Sequence, residues 1–359
     1  MGKNILVTGG LGFIGSHTVV ALHEAGFNPV IVDNLSNSRR GILDHIEHIT
    51  GERPKFYEED VINTVALEDI IEEEEIDAVI HFAAFKSVSE SLEHPLVYYD
   101  NNVGGLLSLL NAMKFADCKH LVFSSSCTVY GEPDIIPVDE QSPVKQAKTA
   151  YGSTKQVAEI MLRDNTWLNT IALRYFNPVG GHESGMLGEL PLGVPNNLMP
   201  YLTQTAAGIR DQLTVFGDDY DTRDGSCIRD FIHVMDLAEA HVKAVERLLD
   251  GDRDTTQNIY TPDTENFEAI NVGTGNGYTV LEIIKKFEEV NGIRVNYKIG
   301  PRRDGDIVRI WADTTKSYWR LGWQAKRGLV DMVRDSWAWQ RNLPGKDLFN
   351  PDGRTNGDV

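Results

Sequence analysis

Gly9-Gly10-Leu11-Gly12-Phe13-Ile14-Gly15 separates an apolar, β-branched run at Asn4 to Thr8 from an amphipathic run at Gly15 to Ala25. A strand that feeds a helix through such a turn restricts the chain to a small set of folds. Glycines there permit the tight turn and a close backbone approach by a ligand. The pyrophosphate of a dinucleotide can then sit on the helix N-terminus, with candidate contacts at Gly9, Gly12, Phe13, Ile14 and Gly15. Asp33 closes the next β-branched run, 18 residues after Gly15. A carboxylate at that place can accept both adenosine ribose hydroxyls and would repel a 2′-phosphate, so NAD is expected rather than NADP.

Alternation of short apolar runs with longer amphipathic ones continues through the first half, the pattern of βαβ units. Strands are expected near Asn4 to Thr8, Pro29 to Asp33, Lys55 to Glu58, Asp77 to Phe82, His120 to Ser124 and Thr170 to Tyr175. Helices are expected over Gly15 to Ala25, Leu67 to Glu75, Val97 to Phe115, Tyr151 to Asn165 and Val234 to Leu249, with a further strand at Ala269 to Val272. The expected class is α/β, a Rossmann-type doubly wound parallel sheet with a smaller, mixed α/β substrate-binding C-terminal domain. Residues 1–178 would form the NAD-binding domain, with returns at about 228–275 and 309–342. Residues 179–227 and 276–308 would bind substrate, because Gly-, Pro- and Asn-rich stretches beside a regular sheet commonly build that side of a site. The polar stretch 250–268 and the tail 343–359 read as peripheral loops.

A formal charge of −19 argues against a nucleic-acid partner, which would need a basic face. It leaves room for an anionic substrate where a few arginines and helix N-termini converge. Glu72 to Glu75 reads as a solvated helix end. Cys118, Cys127 and Cys227 lack Cys-x-x-Cys spacing and no histidine shows a ligand motif, so neither a disulfide framework nor a metal site is expected. No apolar run approaches the ~20 residues a membrane span requires, and the N-terminus shows no signal-peptide region. A cytoplasmic protein is the expectation.

Tyr151 and Lys155 stand four apart, so they share one helix face. A phenol with an ordinary pKa near ~10 is a poor base at neutral pH, and a neighbouring ammonium favours its phenolate. Ser124-Ser125-Ser126 ends the fifth strand 25 residues before Tyr151 and offers a hydroxyl for the same substrate oxygen. Asp60-Val61 follows the third strand and Phe82-Ala83-Ala84-Phe85-Lys86 the fourth, both at the strand ends where open α/β sheets bind ligands. Asp60 is a candidate for the adenine amino group, and Lys86 for a phosphate or ribose.

This combination resembles the extended short-chain dehydrogenase/reductase family. There, Tyr151 would be the acid/base, Lys155 would hold the nicotinamide ribose and depress the tyrosine pKa, and Ser126 would position the substrate hydroxyl. A narrower resemblance, to the nucleotide-sugar epimerases of that family, rests on seven motifs in order between about Lys3 and Asn342. They are Asp33-Asn34-Leu35-Ser36-Asn37-Ser38, Phe82 to Lys86, Ser124 to Gly131, Arg174-Tyr175-Phe176-Asn177-Pro178-Val179-Gly180, Asn196-Asn197-Leu198-Met199-Pro200, Arg229-Asp230-Phe231-Ile232-His233-Val234 and Pro301-Arg302-Arg303-Asp304-Gly305-Asp306. The resemblance implies NAD contacts also at Asn34, Asn37, Ser38, Asn101, Ser124 and Phe176. It implies a UDP-sugar held by Asn177, Asn197, Leu198, Phe216, Arg229, Arg303 and Asp306, with Lys86, Ser126 and Tyr151 at the sugar. UDP-glucose and UDP-galactose would interchange through a 4-keto intermediate, and the assembly would be a homodimer.

Other chemistries differ in what they need. A nucleotide-sugar 4,6-dehydratase must expel water and requires an acid beside the strand-end serine, where this chain has Cys127 and Thr128. A UDP-glucuronate epimerase is left open by chemistry alone, although Asn177 to Gly180 and Asn196-Asn197 favour a neutral sugar. A dinucleotide sensor would need the glycine loop without the tyrosine, lysine and serine. Ile310 stands where the resembling enzymes carry a residue beside the sugar C2 substituent, which implies some tolerance of N-acetylated sugars.

Overall fold

The computed structural model describes residues 2–250, 264–303 and 305–343. Strands are β1 (Asn4–Thr8), β2 (Asn28–Val32), β3 (Lys55–Tyr57), β4 (Ala78–His81), β5 (His120–Ser126), β6 (Asn169–Tyr175), β7 (Asn177–Val179), β8 (Leu213–Phe216), β9 (Ile228–His233), β10 (Phe267–Val272), β11 (Gly277–Thr279), β12 (Tyr297–Gly300) and β13 (Arg309–Ile310). Helices are α1 (Phe13–Glu24), α2 (Ile42–Thr50), α3 (Thr64–Glu73), α4 (Val88–Glu93), α5 (Pro95–Tyr98), α6 (Gly105–Phe115), α7 (Ala150–Asp164), α8 (Leu198–Ala206), α9 (Val234–Asp250), α10 (Val280–Asn291), α11 (Thr315–Leu321) and α12 (Leu329–Asn342).

Seven parallel strands form the main sheet in the order β10-β6-β5-β4-β1-β2-β3. Alternate side chains of each strand enter opposite layers. Ile5, Val7, Ile31 and Ile80 pack with α1, α2 and α9, whereas Leu6, Val30, Val79 and Leu121 pack with α3, α6 and α7. Both faces are thus covered, which is why the strands read as continuous apolar runs. The order reverses between β1 and β4, and the glycine loop leaves β1 at this switch point.

The smaller part has two sheets. In one, β9 pairs with β7 and β13 in parallel and with β11 antiparallel; in the other, β8 pairs with β12. Leu202, Phe287, Met332 and Trp337 share its core. Of the segments expected to return to the first domain, α9 and β10 pack there. α11 packs there too, against α9 and β10, whereas α12 turns its apolar stripe toward α10 and α8, and β9 puts Phe231 into the smaller core and Ile232 into the main one.

Three local readings change. The expected helix over Val97 to Phe115 is α5, a widened π turn at Tyr99–Gly104, and α6. Glu74 is no solvated helix residue: it is buried, and its carboxylate accepts hydrogen bonds from the Lys55 ammonium and the Tyr57 hydroxyl. Within 250–268, Asp250 ends α9 and Phe267 opens β10; the remaining loop positions 251–263 and the tail beyond Leu343 lie outside the described residues. Among those described, no helix is long and apolar enough to cross a membrane.

Candidate active site

One cleft of about 750 Å³ runs from the glycine loop to the smaller part, within the size range of ligand pockets. Gly9, Gly12, Phe13, Ile14 and Gly15 line one end. Gly9 has φ +69°, and a Cβ on it would stand 2.8 Å from the Ala83 nitrogen. A Cβ on Gly15 would stand 2.2 Å from the Gly9 carbonyl oxygen. The turn therefore closes against β4 only because these side chains are absent, and α1 begins at Gly12 with no side-chain cap on its N–H groups. Such a bare helix start fits a pyrophosphate.

Asp33 is held by three donors: Leu11 N at 3.0 Å on Oδ2, and Leu35 N at 2.9 Å and Ser38 Oγ at 2.7 Å on Oδ1. Asn34, Asn37, Ser38 and Val61 line the same end. Asp60 does not line it. Its carboxylate accepts from Asn34 Nδ2 at 2.8 Å and Ile62 N at 3.0 Å, so it orders the ribose-side loop rather than facing the cleft.

Phe82, Ala83, Ala84 and Lys86 form the wall beyond β4. That wall is fixed by Asn102 from the π turn, whose side chain accepts from Phe85 N at 2.8 Å and donates to Phe85 O at 3.0 Å. Asn101, which lines the cleft, donates to Asn102 at 2.9 Å. The widened turn is what aims both asparagines at the wall, and a single-period helical reading does not register it.

Ser124, Ser126, Tyr151, Lys155 and Phe176 meet in the middle of the cleft. Thr149 caps α7, accepting from Gly152 N at 3.2 Å, so Tyr151 and Lys155 leave the first two turns on one face. Lys155 is buried; its ammonium donates to Ser124 O at 2.6 Å and lies 6.0 Å from the Tyr151 ring centroid. Burial pushes Lys155 down to about 8, with the Glu159 carboxylate pulling it back. Burial also pushes Tyr151 up to about 12; a hydrogen bond with Ser126 opposes this and the Cys127 thiol adds to it. Among the chain's own groups, removal of the phenolate from water dominates the Tyr151 shift.

Behind this group, Glu159 accepts from Ser125 Oγ at 2.6 Å and forms a two-pronged buried ion pair with Arg174, at 2.9 and 2.6 Å. At the far end, Asn177, Asn197, Leu198, Phe216, Arg229, Arg303 and Asp306 all line the cleft. Asp306 Oδ1 lies 2.7 Å from Arg303 Nη2 and 3.6 Å from Arg229 Nη2, and the Arg303 guanidinium lies 5.4 Å from the Phe216 ring centroid. Ile310 is absent from the lining. It is buried with Val129, Tyr130 and Phe176, behind the wall that Phe176 and Cys127 present. Glu189 lines the cleft and had no motif to reveal it: it is one glutamate in an irregular Gly- and Pro-rich stretch.

A dinucleotide cradle and a Tyr/Lys/Ser group in one cleft are the arrangement of the extended short-chain dehydrogenase/reductase class. A family model described as GDP-mannose 4,6 dehydratase matches residues 6–336. A UDP-glucose 4-epimerase of Bacillus subtilis is 49% identical over 341 residues, 94% of this chain and 96% of that protein. The crystal structure of the Stenotrophomonas maltophilia enzyme of that name, with NAD and formylated UDP-arabinopyranose, superposes with a TM-score of 0.88 at 48% identity, covering 94% of this chain and 98% of the other. The Bifidobacterium longum enzyme, with NAD⁺ and UDP, gives 0.88 at 42% identity, covering 98% of this chain and all of the other. This chain belongs to the UDP-glucose 4-epimerase family. Its glycine cradle and Asp33 fit NAD: the loop space that a Cβ would fill and a carboxylate oriented beside α1 are the features such a cofactor requires.

Proposed function

We propose that this protein is an NAD-dependent isomerase that interconverts UDP-galactose and UDP-glucose. The observation that carries the reading is the position of Tyr151, Lys155 and Ser126 midway between the glycine cradle and the Arg229/Arg303/Asp306 cluster of one cleft. Bound NAD supplies an acceptor for the C4 hydride and a donor that gives it back, so no net redox change occurs. Tyr151, as the phenolate that Lys155 and the positive charge of bound NAD⁺ would favour, takes the proton of the sugar 4-hydroxyl and later returns it, passing through a 4-keto sugar. Ser126 orients that hydroxyl. Lys155 keeps positive charge beneath the ring, and the rate should fall as pH rises through about 8, where that charge is lost.

Arg229 and Arg303 give charge-assisted bonds to the diphosphate, as does the uncapped start of α8 at Asn197 and Leu198. Asn177 faces the sugar, Phe216 the uracil, and Asp306 the uridine ribose. Firm anchoring of the diphosphate lets the sugar turn and present the opposite face of C4. A 4,6-dehydratase is disfavoured because Cys127 and Thr128 stand where it needs an acid, and burial pushes the Cys127 thiol up to about 12. A lesser activity on UDP-GlcNAc and UDP-GalNAc is part of the reading.

Leu92, Leu96, Val97, Leu107 and Ile160 are exposed on the neighbouring helices α4 to α7, which suits a homodimer. Three free cysteines suit a reducing cytoplasm. The deciding experiment is incubation with UDP-galactose and no added redox partner, read by NMR for UDP-glucose. Absence of product after NAD supplementation would overturn the proposal. A monomeric mass in solution would remove the dimer.

A further inference from the structure

Glu189 sits between the two halves of the cleft, with its side chain only 10% exposed. One oxygen, Oε1, accepts from Lys86 Nζ at 3.0 Å and from Asn197 Nδ2 at 2.7 Å. Lys86 comes from the wall beyond β4, and Asn197 opens α8. No other described contact joins those two cleft-lining side chains. Glu189 is itself held firmly: its carbonyl accepts from Trp339 Nε1 at 3.1 Å, and a Cβ on Gly188 would stand 2.2 Å from the Trp339 ring. A bridge between Gly181 and Gly188 closes the loop behind it.

The charges along the cleft are therefore unequal. At the far end two guanidiniums, Arg229 and Arg303, share the single carboxylate of Asp306. At the sugar end Lys86 is matched one to one by Glu189. A diphosphate dianion finds an unmatched guanidinium at the first place, whereas at the second the Lys86 charge is already matched and the Lys155 ammonium is buried and bonded to the Ser124 carbonyl. We infer that Glu189 is a positioning residue that sets where the diphosphate stops, by cancelling the Lys86 charge and orienting the Asn197 amide. With that charge cancelled, the phosphates stay on the guanidiniums and the hexose, not a phosphate, occupies the space beside Tyr151. This assignment rests on the proposed UDP-hexose substrate.

The test is Glu189→Gln, which keeps the shape and removes the charge, with Lys86→Met and the double variant alongside. Freed Lys86 should tighten binding of UDP alone by about threefold, the scale of a partly exposed ion pair. The same variant should lower kcat on UDP-galactose by about tenfold through misplacement of the hexose. Tighter UDP with slower turnover is a combination that a merely structural defect would not give. In the Lys86→Met background, Glu189→Gln should leave UDP affinity unchanged, since the glutamine amide oxygen still accepts from Asn197 and only the charge is lost. Unchanged kcat, or weaker UDP binding with a lowered Tm, would overturn the assignment. If Glu189→Gln does not fold, Glu189→Ala, which also removes the charge, takes its place, and failure of both makes the residue structural and overturns it too. Wild-type protein inactive on UDP-galactose sinks the substrate reading itself. An active wild type with an unaffected variant sinks only the role of Glu189.

Discussion

At the cofactor end of the cleft, functional groups are fixed by backbone. Asp33 is gripped by two peptide N–H groups, the glycine turn by its contact with β4, and Lys155 by a carbonyl. In the substrate half they are fixed mostly by one another: Arg303 and Arg229 by Asp306, Lys86 and Asn197 by Glu189. Backbone contacts are made once, on folding. Side-chain ion pairs at a partly exposed surface contribute little stability and exchange readily for an anionic ligand. The difference suits a cofactor that must stay and a substrate that must leave. It also predicts that changes at the first end are felt as stability and chemistry, and those at the second as affinity.

The largest effect expected is on chemistry at the cofactor end. Tyr151→Phe should lower turnover of UDP-galactose by about 10³-fold or more while NAD remains bound, read by product formation and by cofactor content after gel filtration. Retained turnover would take the phenol out of the reaction.

Next comes stability at the same end. Glu159→Gln leaves Arg174 buried with a neutral partner and should cost about 3–5 kcal/mol, read as a fall in the denaturant midpoint. An unchanged midpoint would mean that the Tyr130 hydroxyl, which accepts from Arg174 at 3.0 Å, holds the guanidinium adequately.

Acid should separate the two ends further. His17 and His81 are held down at about 3 and His241 at about 4 by burial, below the ordinary 6.5. Unfolded chains bind protons at these rings below pH 6.5 while the folded protein refuses them. Their contribution to stability is present above that pH and is lost as pH falls, by about 1.4 kcal/mol per pH unit for each ring. All three lie behind the cofactor end: His17 bonds to the Phe13 carbonyl, His81 to Thr8, and His241 packs on Phe82 and Tyr175. NAD should therefore be released as pH falls from 6 toward 4, read by cofactor content after gel filtration. Full NAD retention at pH 4 would contradict the linkage.

The smallest effect is in the substrate half. Arg303→Gln should raise KM for UDP-galactose by about tenfold and leave the denaturant midpoint within ~0.5 kcal/mol, because its partner Asp306 keeps Arg229. A large stability loss there would erase the contrast between the two ends.

Much of this was legible without coordinates, for particular reasons. Strands of the main sheet are buried on both faces, so their apolar runs are unmistakable, and the glycine loop is a local backbone requirement written in adjacent residues. The Tyr151/Lys155 spacing is likewise local. Asp60 and Ile310 do not line the cleft and Glu74 is buried, none of which their neighbours in sequence reveal. Their surroundings come from Asn34, from Phe176 and Tyr130, and from Lys55 and Tyr57. Glu189 escaped notice for the same reason, its partners standing 103 and 8 residues away.

Sequence by itself determined the fold class, the dinucleotide loop, the Tyr151/Lys155 spacing and the family, since those depend on periodicity and on residues close together in the chain. Only the tertiary structure decided the protonation balance of Tyr151 and Lys155, the packing of Ile310 out of the cleft and the Glu189 bridge. Burial, and the choice of partner for a charge, are properties of how distant segments meet. No local pattern of residues encodes the dielectric around a phenol or the third group that an ammonium will find.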